Sequence, residues 1–130
     1  LPRVNFYHWV LVDIPASKTE FKEGEASNQV TPKGKESGKK DYGVAGINNY
    51  TDWFAGDNDM GGNFADYDGP CPPWNDSIIH HYHFKIYALD VESLGLSGNF
   101  TGPEAIQAMQ GHILDEAEWM GTYTLNKDLL

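Results

Sequence analysis

The chain has 130 residues, 40% of them hydrophobic and 22% charged, with a formal net charge of −10. That length and balance fit one folded domain, residues 1–130, with a genuine core, and exclude a disordered tail. The negative field opposes nucleic acid and anionic membrane faces, so any bound anion must be held by short-range hydrogen bonds.

The charge is uneven: residues 1–50 carry seven Lys/Arg against six Asp/Glu, and residues 51–130 carry two against thirteen. A single cysteine, Cys71, allows no internal disulfide and no zinc site built on cysteine pairs, and leaves the compartment open. No apolar run reaches the ~20 residues of a membrane span. The start, LPRVNFYHWVLVDIP, has no basic stretch or cleavage site of a signal peptide and no initiating Met. It is therefore expected to be a trimmed chain with part of the domain missing upstream.

In chain order, Phe6–Ile14 is apolar on both faces and ends at Pro15, which predicts a central strand covered on both sides. Alternation puts His8, Val10, Val12 and Ile14 on one of those faces. Ala16–Lys40 reads as a polar surface excursion with one short strand near Asn28–Thr31. Tyr42–Gly69 is too rich in Gly, Asn and Asp for a regular helix. Its aromatics, Tyr50, Trp53, Phe54, Phe64 and Tyr67, predict a loop pinned to the body. Three prolines then crowd Gly69–Pro73, and Ile79–Leu89 reads as a strand. His80, Tyr82, Phe84 and Ile86 share one of its faces, and His81, His83, Lys85 and Tyr87 the other.

The next signal is helical. Thr101 as N-cap, Pro103 in the first turn and Glu104 closing a capping box start a helix. Ala105, Ile106, Met109, Ile113, Ala117 and Met120 carry its apolar stripe, and Gly121 stops it. Gly121–Leu125 predicts a final strand. The organisation is mainly β, a β-rich α+β domain with one solid helix toward the C-terminus.

Several constellations stand on this frame. His80, His81 and His83 invite a metal, but His80 points away from the other two, so the three cannot converge on one ion. Asp57, Asp59, Gly62 and Asp68 match four positions of a calcium loop. Gly61 and the Asp at the last position break that pattern, and a turn-rich acidic loop is the better reading. Cys71, between prolines, has no basic neighbour in sequence to activate it and is expected to be buried and inert. Ser77 has no nucleophile-elbow context. His112, beside the helical stripe, is expected to be half-buried. What remains is His80 with Tyr82 beside the stiff Gly69–Pro73 loop. Imidazole and phenol donors over apolar walls suit one phosphate or carboxylate, and a polar core patch fits the same spacing.

The run YDGPCPP at Tyr67–Pro73, followed by HHYHFKIYALD at His80–Asp90, resembles the phosphatidylethanolamine-binding protein family, in its bacterial and archaeal Raf-kinase-inhibitor-like branch. HWVLVDIP at His8–Pro15, AMQGHIL at Ala108–Leu114 and GTYT at Gly121–Thr124 extend the resemblance over nearly the whole chain. The resemblance implies a large antiparallel sheet packed on a smaller one, with helices alongside. It also implies a non-enzymatic, regulatory binding domain whose pocket for phosphate-like or carboxylate anions is built from His8, Pro72, Pro73, His80 and Tyr82. His8 is placed there by the resemblance alone. No metal or cofactor is expected. The family's Asp-Pro-Asp-x-Pro segment, which supplies an acidic pocket residue, is absent, so the pocket is expected to be incomplete and an exposed sheet edge to favour a homodimer. Two rivals stand beside this reading. One is a kinase or protease inhibitor acting on a protein partner through its surface, and the other a metal-dependent hydrolase using the histidine cluster.

Overall fold

Val10 and Val12, two residues apart on an extended segment, turn the same way into a core with Phe100 and Ala105, as alternation requires. The computed structural model describes residues 4–27 and 31–130. These gather into two compact units. One takes in the chain up to Asp68 together with Val91–Gln110, and the other Gly69–Asp90 with Gly111–Leu130. The architecture is a β-rich α+β fold with two antiparallel sheets, one of three strands and one of two.

The first unit holds β1 (Leu11–Val12), β2 (Gly38–Lys40) and β3 (Gly43–Ala45) in the order β1-β3-β2. A two-residue turn at Asp41 and Tyr42 joins β2 to β3, and Leu11 pairs with Ala45. The central strand expected over Phe6–Ile14 is corrected here: only Leu11–Val12 is ladder, and it stands at one end of this sheet. The reason is visible in the backbone. Tyr7, His8 and Val10 give their carbonyls to Asn49, Asp68 and Gly46 of the loop after β3, so the segment is consumed by loop contacts before β1 starts. Asp13, at φ 55, then turns the chain out of the strand, with its carboxylate held by Ser93 Oγ and the Leu94 amide. Gly46 sits where an added Cβ would lie 2.5 Å from the Phe100 carbonyl oxygen, so the loop and the core residue meet without a side chain between them. The strand expected near Asn28–Thr31 lies outside the described residues but for Thr31, which is not in a strand.

The loop over residues 42–69 is pinned by its aromatics. Tyr50 stacks on Phe54 at 6.0 Å, Phe54 meets Phe64 at 5.2 Å, and Tyr67 meets Trp9 at 5.2 Å. Trp53 departs from that expectation and is largely exposed. One turn of helix, α1 (Tyr50–Trp53), lies within the loop.

Helix α2 (Gly102–Met109) starts as its sequence dictates: the Glu104 amide donates to Thr101 Oγ1 at 3.3 Å, and Pro103 occupies the first turn. Thr101→Ala should cost about 1 kcal/mol of stability in denaturant titration, and an unchanged midpoint would show that the cap is redundant. The helix is shorter than the stripe implied. Gly111, at φ +82, follows the last turn, and Ile113–Tyr123 is not helix but strand β5. Ile113, Ala117 and Met120 fall at helical spacing, but Ala117, Trp119, Gly121 and Tyr123 also alternate with Glu116, Glu118, Met120 and Thr122. Pairing with a long neighbour decided between the two periods.

That neighbour is β4 (His80–Leu89), the second unit's other strand. Residues directly opposite share a face, so His80, Tyr82, Phe84 and Ile86 lie with Tyr123, Gly121, Trp119 and Ala117. The reverse face carries His81, His83 and Lys85 with Thr122, Met120 and Glu118. The ribbon is therefore apolar on one side and polar on the other. Among the described residues, no helix is long and apolar enough to cross a membrane.

Candidate functional site

Pro70, Pro72 and Pro73 restrict the backbone to one φ well each and stiffen the approach to β4. Pro72 is buried. The Asp76 amide donates to the Pro73 carbonyl at 3.1 Å, closing a turn, and Asn126 Nδ2 donates to the Asp76 carbonyl at 2.8 Å. The turn so fixed aims the buried Asp76 carboxylate at His80, with Oδ2 2.6 Å from Nε2. Tyr82 follows on the same face. The two rings lie 6.3 Å apart with planes only 23° off parallel, and both are half-buried. Across the ribbon, Gly121 stands opposite Tyr82, and the Trp119 ring leans over it within 3.3 Å of where its Cβ would be. The result is a short face with the His80 imidazole, the Tyr82 and Tyr123 phenols and the Trp119 indole, entered from a proline-stiffened turn.

Four of the five expected site residues, Pro72, Pro73, His80 and Tyr82, thus belong to one compact unit, in which the Asp76 turn joins Pro73 to His80 and the His80 ring meets Tyr82. His8 belongs to the other unit. Its Nδ1 lies 2.8 Å from the Asp68 carbonyl oxygen, which can only accept, so Nδ1 carries the proton. The Phe6 and Tyr50 rings flank it at 4.7 and 5.5 Å.

Asp76 and Trp119 were not singled out in the sequence. For Asp76 the signal was a carboxylate four residues before His80 in a proline-started turn. Trp119 was hidden by the helical reading of its segment.

The remaining histidines scatter. His83 pairs with Glu118 on the polar face, and His112 Nδ1 lies 2.7 Å from Asp90 Oδ1. His112 is half-buried as expected, although the helical stripe invoked for it is strand β5. Among the described residues, no three His, Cys, Asp or Glu side chains gather as a metal site. Asp57 is spent on the Asp59 and Met60 amides, which hold its carboxyl below the usual carboxylate range. Asp68 meets Asn48 Nδ2 at 2.7 Å, with Lys35 Nζ 3.6 Å away. Cys71 corrects an expectation: it is a free, exposed thiol, because the loop turns Pro72 inward and leaves Pro70 and Cys71 at the surface.

The first unit has its own polar centre. Asp66 is 2% exposed, with φ 64. Trp9 Nε1 donates to Oδ1 at 2.8 Å and the Tyr42 hydroxyl donates to Oδ2, while Asn48 Nδ2 donates to the Asp66 carbonyl at 3.0 Å. Burial and the bond to Asp66 push the Tyr42 phenol well above its ordinary range.

The model of the phosphatidylethanolamine-binding protein family matches residues 1–124. A UPF0098 protein of Methanothermobacter thermautotrophicus is 33% identical over 116 residues, covering 89% of this chain and 61% of the relative. A UPF0098 protein of Pyrococcus horikoshii is 35% identical over 122 residues, 94% of this chain and 51% of the relative. One of Aquifex aeolicus is 37% identical over 122 residues, 94% and 58% respectively. The chain thus spans 51–61% of the length of these curated relatives. By the extent of these matches, the chain belongs to the phosphatidylethanolamine-binding protein family.

Proposed function

We propose that this chain is a non-enzymatic binding domain for a small phosphate-like or carboxylate anion, held at His80 and Tyr82 against the Pro72–Pro73 wall. The observation that supports this most is the half-buried, near-parallel pair of His80 and Tyr82 rings beside a loop with little backbone freedom to lose. On a chain of net charge −10, the attraction must come from these short-range donors rather than the field. His8 joins the reading through family resemblance, and a regulatory role would follow from occupying a phosphorylated or carboxylate-bearing group of a partner.

Calorimetry with inorganic phosphate tests this. His80→Ala should weaken binding by about 1–3 kcal/mol, the range for leaving buried partners unpaired. His81→Ala, on the opposite face, should leave it within experimental error. Equal losses for the two variants would overturn the assignment of the site to this face.

A further inference from the structure

We propose that Asp76 is the positioning residue of the anion site and that it makes binding at His80 a proton-coupled event. This rests on the anion-binding reading above. Asp76 is tied at both backbone ends, through its amide to Pro73 and its carbonyl to Asn126, and its side chain is 6% exposed. The carboxylate therefore reaches His80 as a fixed group, not as a mobile surface acid. A carboxylate oxygen accepts, so the 2.6 Å contact assigns the first ring proton to Nε2. In neutral imidazole the other nitrogen, Nδ1, then holds a lone pair, and a lone pair repels an anionic oxygen.

Nδ1 becomes a donor only when His80 takes a second proton. In the loaded site the imidazolium gives one charge-assisted bond to Asp76 through Nε2 and one to the anion through Nδ1. The balance is simple: one proton leaves solvent or buffer and joins Nδ1, no bond between heavy atoms is made or broken, and nothing is oxidised or reduced. Among the described residues, the groups facing His80 are Asp76 from the turn, Tyr82 from its own strand and Tyr123 opposite in β5. Of these three, Asp76 alone is a carboxylate. It offsets the charge that His80 acquires.

Sulfate is the probe that decides this, because its charge does not change across the range and any proton counted belongs to the protein. Calorimetry in two buffers of different ionisation heat should show proton uptake on binding, approaching one proton per sulfate at mildly alkaline pH. Asp76→Asn keeps an oxygen to accept Nε2–H but removes the charge. It should weaken sulfate about tenfold near neutral pH and move the fall in affinity to lower pH. A merely structural role would lower affinity by the same factor at every pH. Uptake of no proton by the unaltered chain, or a uniform loss in Asp76→Asn, overturns the inference while the anion-binding reading stands. Failure of the unaltered chain to bind sulfate or phosphate overturns both. The proton count uses only the unaltered chain, so it decides the matter even where the variant does not fold.

Discussion

Phe100→Ala should destabilise the protein by about 3–5 kcal/mol, the range for truncating a buried aromatic. Phe100 is 3% exposed and packs with Val10, Val12 and Ala105, while Tyr7, Val44, Leu94 and Leu96 close over them. Its carbonyl accepts the Ile47 amide at 2.8 Å, and its ring faces Gly46 so closely that the loop cannot fill the space with a side chain of its own. The cavity would therefore stay open. Against a typical stability of roughly 5–15 kcal/mol, such a loss removes a large share. Urea unfolding measures it directly, and a loss below about 1 kcal/mol would mean that this cluster is not the core of its unit.

Asp66→Ala should cost about 2–4 kcal/mol, because it strands two donors, Trp9 Nε1 and the Tyr42 hydroxyl, at a buried position. Tyr42→Phe removes only one donor and should cost less. The pair also sets an alkaline limit. The Tyr42 phenol is raised by burial first and by Asp66 second, so the folded state holds that proton more tightly than the unfolded state. A raised value contributes stability that is fully present below the ordinary tyrosine range near 10, and that stability is lost as pH climbs beyond it. Denaturation midpoints taken on both sides of that range should fall for the unaltered chain and fall less for Tyr42→Phe. Equal slopes would detach Tyr42 from the effect.

Much of this was legible in the sequence where a local rule is strong. Thr101 and Glu104 mark the start of α2 because capping is settled within four residues. The alternation of His80, Tyr82, Phe84 and Ile86 places β4 and its two faces, since a strand's period is independent of its neighbours. The pairing of His80 with Tyr82 followed from the same rule. What could not be read was decided by partners far along the chain. Asp66 looked like one acid in a turn-rich loop, yet its partners Trp9 and Tyr42 lie 57 and 24 residues away. Phe6–Val10 looked like ladder, but its carbonyls are taken by residues 46–68. Ile113, Ala117 and Met120 kept a helical spacing inside a strand because ladder pairing with β4 outweighs the period of three residues. Asp76 was missed for a simpler reason: a carboxylate in a loop has no pattern until the turn that aims it is known.

The central claim is that an anion sits on the His80–Tyr82 face, and an amide-resolved NMR titration with phosphate tests it most directly. Saturable shifts should concentrate on the amides of Asp76, His80 and Tyr82 and on the His80 ring, while His81→Ala leaves the titration midpoint unchanged and His80→Ala raises it by roughly 5- to 150-fold. Phosphate at saturating concentration that moves none of these signals, or a midpoint on the Asp76 and Tyr82 amides that His80→Ala leaves in place, would contradict the claim.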